Sequence, residues 1–164
     1  MERRFVIACL VENHFGVLAR ISGLFSARGF NIDSLTVGAT EDPSISRMTI
    51  VVLGDERIME QVKKQLNKLI DVIKVLDLSS NNYVDRELAL IKINITKESR
   101  MSALQLFEVF QAKVVDITLK SVTAEVSGST QKIAAFIEML KPFGIIETAR
   151  TGKIALTRES VNGD

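Results

Sequence analysis

The sequence predicts an α+β protein built from two βαββαβ units in tandem. Apolar runs of strand length alternate with segments whose apolar residues recur at helical spacing, and the order strand, helix, strand, strand, helix, strand occurs in each half of the chain. A polar stretch without apolar periodicity, residues 79–82, separates the halves. We therefore predict two domains, at residues 1–78 and 84–164.

The first half opens with a strand that leads through a short loop into a helix. Residues 5–11 are a nearly continuous apolar run, which is typical of a strand in the middle of a sheet. A polar loop, residues 13–16, follows this strand, and Gly29 is expected to end the helix after it. The helix is predicted from an apolar stripe with helical spacing: Val17, Leu18, Ile21, Leu24 and Phe25.

The rest of the first half predicts a hairpin, a second helix and a strand. Residues 32–39 alternate between polar and apolar side chains, residues 46–53 form the next strand, and a polar turn with Pro43 joins the two. Asp55 is expected to cap the second helix, and residues 72–78 form the last strand. The apolar stripe of this helix is Ile58, Val62, Leu66, Leu69 and Ile70.

The second half repeats this order although the two halves are not obviously alike in sequence. Strands are predicted at residues 87–95, 113–119 and 121–127 and, with one interruption, at residues 145–156. The tail, residues 158–164, is expected to be loose. The two helices are predicted from the apolar residues Leu104, Phe107 and Phe110, and from Ile133, Phe136, Ile137 and Leu140 after a Gly-Ser-Thr start and before Pro142 and Gly144.

Each half resembles a ferredoxin-like unit, in which four antiparallel strands carry two helices on one face. The helices leave the other face of the sheet without cover, and the strands are apolar enough that we expect a partner to cover part of it. Small units bury a smaller share of their surface than large ones, so burying this face in a dimer would add to their stability.

The composition excludes several classes of protein. Hydrophobic residues make up 46% of the chain and charged residues 25%, which indicates a globular protein. The formal net charge of +1 gives no electrostatic reason to expect a nucleic acid or a membrane surface as partner. No apolar run approaches the ~20 residues of a membrane span, and no signal peptide is expected. Cys9, the only cysteine, lies in an apolar run and indicates a reducing compartment, so we expect a cytoplasmic protein.

The sequence contains no recognisable catalytic constellation. His14 is the only histidine, which leaves no Ser-His-Asp or Cys-His arrangement and no His-rich metal site. Neither glycine-rich phosphate-binding fingerprint is present, so we predict no catalytic residue, no metal and no cofactor in this chain, although a carboxylate pair assembled by the fold stays open. RNA-recognition domains share the element order but need aromatic residues on the sheet, which makes RNA binding a distant alternative here.

The loop before the first helix is the candidate binding site. Free backbone N–H groups and the positive end of the helix dipole attract an anion at a helix N-terminus. Asn13 and Asn31 flank this helix, and an amide that both donates and accepts hydrogen bonds suits a zwitterion such as a free amino acid. The alternative is that Asn13 only caps the helix and Asn31 only shapes a turn.

Several strings of residues resemble one known family. The first half, through ENHFGVLARISGLFSARGFNIDSLTVG, resembles an ACT domain, a small regulatory module that binds amino acids. With DPSISRMTIVV, QLNKLIDVIKV, VDRELALIKI and TARTGKIALTR, the chain resembles the regulatory (small) subunit of acetohydroxyacid synthase, also called acetolactate synthase, over nearly its whole length. The SRMTI and NIDSLTV strings are specific to that family.

The resemblance implies a non-catalytic subunit that binds and activates a catalytic large subunit. The large subunit is expected to carry thiamine diphosphate, magnesium and usually FAD, and the small subunit to confer feedback inhibition by valine, in some members also by leucine or isoleucine. The first domain is then expected to bind the effector and form a homodimer. The polar break at residues 79–82 between two complete units further predicts that residues 1–78 and 84–164 are separable in function. The implied effector-binding residues, shared between two protomers, are Asn13, His14, Phe15, Gly16, Val17, Leu18, Asn31 and Ile32. A stand-alone amino-acid-binding ACT module without an enzyme partner is the alternative.

We predict a homodimer in which the exposed apolar sheet and helix edge of residues 5–39 pair between chains, because a twofold pair with side-by-side sheets would place both loops at the interface. Light scattering of the purified chain at micromolar concentration, with and without valine, should give twice the chain mass. A monomer mass under both conditions would contradict the prediction.

Overall fold

The computed structural model describes residues 3–79 and 82–159, and the tandem α+β architecture predicted from the sequence is confirmed there. Strands and helices follow one another in the predicted order in each half, and the predicted last strand is divided into two. The elements are β1 (Arg3–Glu12), α1 (Val17–Ala27), β2 (Asn31–Ala39), β3 (Ile45–Gly54), α2 (Glu56–Leu66), β4 (Val72–Asp77), β5 (Tyr83–Asn94), α3 (Arg100–Phe110), β6 (Lys113–Ile117), β7 (Ser121–Gly128), α4 (Thr130–Leu140), a short 3-10 helix (Lys141–Phe143), β8 (Ile145–Arg150) and β9 (Ile154–Thr157).

The first sheet is antiparallel, with strand order β2-β3-β1-β4. Strand β1 pairs with β3 so that Ile7 lies opposite Ile50, and with β4 so that Cys9 lies opposite Val75. Alternate side chains of β1 point toward α1 and α2 and the others into a second buried cluster, which explains why this central strand is a nearly continuous apolar run. The main core contains Phe5, Ile7, Cys9, Val11, Val17, Ile21, Phe25, Met48, Ile50, Val52, Met59, Val62 and Leu66.

Local signals account for the ends of the helices in the first half. The Asp55 side chain accepts a hydrogen bond from the Ile58 N–H at 2.8 Å, which confirms its predicted role as cap of α2. Gly29 has φ 66° just beyond the end of α1, as predicted for a residue that stops a helix in the left-handed conformation.

The opposite face of the first sheet is partly covered by the chain itself. Val6, Ala8 and Val51 point away from the helices and form a second buried cluster with Leu78 and with Ala155 of β9. The Arg47 guanidinium donates from Nη2 to the Ala155 carbonyl oxygen at 2.9 Å. We expected a partner to cover part of this face, but part of its cover comes from β9, which does not continue along β8.

The second sheet has strand order β6-β7-β5-β8, and β9 pairs with β5 outside this path. Helices α3 and α4 pack on one face of the sheet, and Ser129 caps α4 by accepting from the Lys132 N–H at 3.2 Å. The core of this unit contains Ala89, Ile91, Ile93, Ile95, Ala103, Phe107, Val122, Ala124, Val126, Ile133, Phe136 and Leu140.

The chain divides into two compact units, the second of which is Asp85–Gly152. The described part of the first unit comprises residues 3–79, 82–84 and 153–159, so residues assigned to the second domain from sequence group with the first. A fragment ending at residue 78 would therefore lack the segment that contains Ala155.

Two predicted segments fall partly outside the described residues. In the predicted linker, residues 79–82, Ser80 and Asn81 lie outside them, whereas the Ser79 hydroxyl oxygen accepts a hydrogen bond from the Val6 N–H at 2.7 Å. In the predicted loose tail, residues 160–164 lie outside them as well.

Cys9 lies in the main core with no exposed surface. Burial raises the pKa of its thiol from the ordinary value of 9.0 to about 12, and the positive charge of Arg47 opposes this shift. The folded state therefore holds the thiol proton more tightly than the unfolded chain does. The resulting contribution to stability is complete below pH 9.0 and is lost as pH rises toward about 12.

We expect Cys9 to be unreactive toward a thiol reagent such as DTNB in the native protein and to react as urea unfolds the chain. The pH dependence is tested against Cys9→Ala, which cannot ionise. The difference in unfolding free energy between the native sequence and this variant should shrink as pH rises above 9.0. Rapid labelling without urea, or a difference that stays constant with pH, would contradict this account.

Candidate functional site

The loop between β1 and α1 is fastened by hydrogen bonds to two other loops. The Glu12 N–H donates to the Asp71 carbonyl oxygen at 2.9 Å, and the Asn13 N–H donates to the Ser44 carbonyl oxygen at 2.7 Å. The Asn13 side chain donates from Nδ2 to the Pro43 carbonyl oxygen at 2.8 Å. Asn13 therefore holds the loop against the turn between β2 and β3, and its Oδ1 atom is an acceptor.

The N-terminus of α1 carries no side-chain cap. Gly16 occupies the N-cap position with φ 87° and ψ −9°, and the first turn contains no acidic residue. The alternative that Asn13 caps this helix is therefore wrong. A left-handed φ favours glycine, and the absence of a side chain leaves the first N–H groups of the helix without a capping carboxylate or hydroxyl. Together with the helix dipole, these groups make a place for an anion.

The side chains around this helix start differ in exposure. Phe15 is 100% exposed and Leu18 is 47% exposed, so both present apolar surface beside the polar helix end. Val17 is buried in the main core, and only its backbone remains to contact a ligand. His14 is half-exposed. The structure thus brings together the six predicted loop residues, from Asn13 to Leu18, with Val17 in a backbone role.

Asn31 and Ile32 lie far from the loop within one chain. Asn31 opens β2 and lies opposite Leu53, whereas Glu12, just before the loop, lies opposite Ile45 at the other end of β3. At about 3.3 Å per residue, the stretch of β3 from Ile45 to Leu53 spans roughly 26 Å. A free amino acid is much smaller than this, so one ligand cannot contact Asn13 and Asn31 of the same chain.

Two charged residues that the sequence analysis did not single out lie beside the loop. Asp71 lies between α2 and β4, and its side chain is only 9% exposed. One of its carboxylate oxygens lies 3.0 Å from His14 Nε2, and the other accepts a hydrogen bond from Arg20 Nε at 2.6 Å. The signal in the sequence was a lone acidic residue inside the apolar stretch LIDVI.

The Arg20 guanidinium lies close to the helix start. A Cβ atom placed on Gly16 would lie 3.5 Å from Arg20 Nη1. The loop thus combines a glycine with positive φ, exposed apolar side chains and a fixed cation, which is chemistry for binding a small anion or zwitterion. Within residues 3–79 and 82–159, no group of acidic, His or Cys side chains could hold a metal ion, and no helix is long and apolar enough to cross a membrane.

Comparisons with known proteins give one consistent result. A family model for the small subunit of acetolactate synthase matches residues 86–159, and a model for the AHAS small subunit-like ACT domain matches residues 7–74. A probable acetolactate synthase small subunit of Archaeoglobus fulgidus is 51% identical over 155 residues, covering 94% of this chain and 97% of the relative. The acetolactate synthase small subunit of Aquifex aeolicus is 51% identical over 158 residues, covering 96% of this chain and 82% of the relative.

A solved structure of an acetolactate synthase small subunit shares the fold of this chain over nearly its whole length. The crystal structure of the acetolactate synthase small subunit from Thermotoga maritima superimposes with a TM-score of 0.90 at 40% identity. The match covers 97% of this chain and 99% of that chain, so both βαββαβ units are shared.

Proposed function

The chain belongs to the family of acetolactate synthase small subunits, and from this premise we propose that it regulates acetolactate synthase in branched-chain amino-acid biosynthesis as a non-catalytic subunit. It binds the large subunit, which carries the thiamine diphosphate, magnesium and FAD, raises its activity and confers feedback inhibition by valine. The observation that carries the effector role is the start of α1, where Gly16 has positive φ and no side chain caps the helix.

Valine fits the chemistry of this helix start. Its carboxylate would accept hydrogen bonds from the first N–H groups of α1 and lie in the positive field of the helix dipole. Its ammonium group needs acceptors, and the Oδ1 atoms of Asn13 and Asn31 supply them. Its isopropyl group would lie against Leu18, Phe15 and Ile32, of which the first two are exposed in the isolated chain.

The distance between the two asparagines supports a site shared by two copies of the chain. Strand β2 is at the edge of the first sheet, where a second copy can add its own β2 in antiparallel orientation. A twofold axis near the middle of β2, close to Leu35, would carry the Asn31 of the second copy to the end of the sheet where Asn13 lies. Each dimer would then hold two equivalent effector sites.

Binding between two copies gives valine a way to act on a large subunit. A ligand that contacts both copies binds more tightly to the arrangement in which the two halves of the site meet. A large subunit that senses the arrangement of the dimer would respond to valine through this difference in affinity. Leucine or isoleucine would enter the same site only if the apolar surface accommodates their longer side chains.

We predict that Gly16→Asp gives a holoenzyme that is still activated by this subunit but no longer inhibited by valine. The new carboxylate would lie beside Arg20 Nη1, where it occupies the anion site and repels the valine carboxylate. Backbone strain at φ 87° adds about 1 kcal/mol, which the fold should tolerate, since aspartate accepts this conformation better than most residues. The measurement is acetolactate formation by the reconstituted holoenzyme across a valine titration.

Gly16→Ala is the matched control, because it carries the backbone strain without the charge. Gly16→Ala should weaken valine inhibition less than Gly16→Asp does. Asn31→Ala should also weaken valine inhibition, because it removes a polar contact to the ligand. Circular dichroism and light scattering check the fold and the oligomeric state of each variant. An unchanged valine inhibition curve for Gly16→Asp would show that the loop is not the effector site. Failure of the native chain to co-purify with or activate its large subunit would favour a stand-alone amino-acid-binding module.

A further inference from the structure

We infer that Asp71 is a positioning residue of the effector site, holding the Arg20 guanidinium where it meets the carboxylate of a bound amino acid. This inference rests on the proposed function and adds to it the source of positive charge in the site. It starts from Asp71, which lies far from Arg20 and His14 in the sequence and which the fold brings within hydrogen-bonding distance of both.

Asp71 is nearly buried, so its contacts with the loop and with α1 are structural contacts and not surface ion pairs. A carboxylate with 9% of its side chain exposed has lost most of its water, and such a group is stable only when charged or hydrogen-bonded partners replace that water. The partners come from the loop and from α1, through His14 Nε2 at 3.0 Å and Arg20 Nε at 2.6 Å. The Asp71 carbonyl oxygen also accepts from the Glu12 N–H, so both its backbone and its side chain fasten this end of the loop.

The orientation of Arg20 follows from this contact. Asp71 engages the Nε atom of the guanidinium, while Nη1 lies 3.5 Å from the position of a Cβ atom on Gly16. A planar guanidinium held by one edge presents its other donors in a fixed direction, which suits a carboxylate acceptor. The side chain of Arg20 is 50% exposed, so a ligand at the helix start can reach it.

Charge at the helix start is what the remaining groups of the site lack. The backbone N–H groups of α1 and the asparagine amides are neutral, and a hydrogen bond to a charged group is stronger than one between neutral groups. Arg20 would therefore contribute specificity for ligands with a free carboxylate. Asp71 would contribute indirectly, because without it the long Arg20 side chain loses the contact that fixes its direction.

The test compares valine with valinamide, which replaces the carboxylate by a neutral amide. Calorimetry measures the affinity of both ligands for the native chain, for Arg20→Gln and for Asp71→Asn. We expect Arg20→Gln to weaken valine binding roughly tenfold or more, as for loss of a charge-assisted hydrogen bond. Asp71→Asn should weaken valine binding in the same direction but by a smaller factor, because it only releases Arg20, and valinamide binding should change much less in both variants. The preference for valine over valinamide should therefore fall in both variants.

Glu87→Gln is the matched control in the second unit. Glu87 is another buried carboxylate, with 7% of its side chain exposed, and it pairs with Arg150 at 2.7 Å. Its substitution should lower the stability of the chain as Asp71→Asn does but leave valine affinity unchanged. Circular dichroism checks the fold, and because Arg20 is half-exposed, Arg20→Gln tests the inference even if Asp71→Asn does not fold.

The outcomes separate this inference from the proposed function. If the native chain binds valine and both variants bind it equally well, Asp71 and Arg20 have no part in the site and the inference is wrong. If a variant loses the same factor of affinity for valine and valinamide, its role is only structural, which also overturns the inference. If the native chain binds no valine, the proposed function fails and this inference fails with it.

Discussion

The pairing of β1 with β3 on one side and β4 on the other determines where everything else in the first unit lies. Strand β1 is buried on both faces, with Ile7 and Cys9 toward the helices and Val6 and Ala8 toward the opposite cluster. Its register therefore cannot shift by one residue without exchanging two apolar faces. Since β1 ends at Glu12, this register also places the following loop at one end of the sheet, beside the turn between β2 and β3.

The loops before the first helix of each unit are held in different ways. Neither α1 nor α3 has a side-chain cap at its start. In the second unit the loop before α3 is held by its own hydroxyl groups, because the Thr96 N–H donates to Ser99 Oγ at 2.9 Å and the Ser99 N–H donates to Thr96 Oγ1 at 3.1 Å. In the first unit the loop before α1 is held by hydrogen bonds to other loops, and Gly16 has the positive φ that Ser99 lacks.

The contacts that hold the loop before α1 come from distant parts of the chain. Asp71 lies after α2, and Pro43 and Ser44 lie between β2 and β3. The loop itself supplies one acceptor to the helix start, since the Val17 N–H donates to the His14 carbonyl oxygen at 3.5 Å. The contacts with other loops fix the backbone before it, at Glu12 and Asn13. The fold supplies this rigidity through elements that do not themselves contact the proposed ligand.

The sequence by itself determined the elements, because the signals for them are local. Apolar stripes at helical spacing identified α1 and α2, and the same order of elements in each half identified the tandem fold. Asp55 and Gly29 marked helix ends. The stripe predicted for α2 was too long, because the helix ends at Leu66 and Ile70, which lies beyond it, is 94% exposed. The loop residues of the candidate site could also be proposed from the sequence, since a polar loop before an amphipathic helix and its resemblance to a known family need no tertiary information.

Only the tertiary structure decided which distant residues meet. The separation of Asn13 from Asn31 depends on the register of β1 and β2 against β3, and the path of β9 onto the first unit depends on packing around Ala155. The meeting of Asp71 with Arg20 and His14 joins residues about fifty positions apart, which no local pattern encodes. Periodicity and capping act over a few residues, whereas register and side-chain pairing act between segments, so the sequence suggested the parts of the candidate site and the fold determined their arrangement.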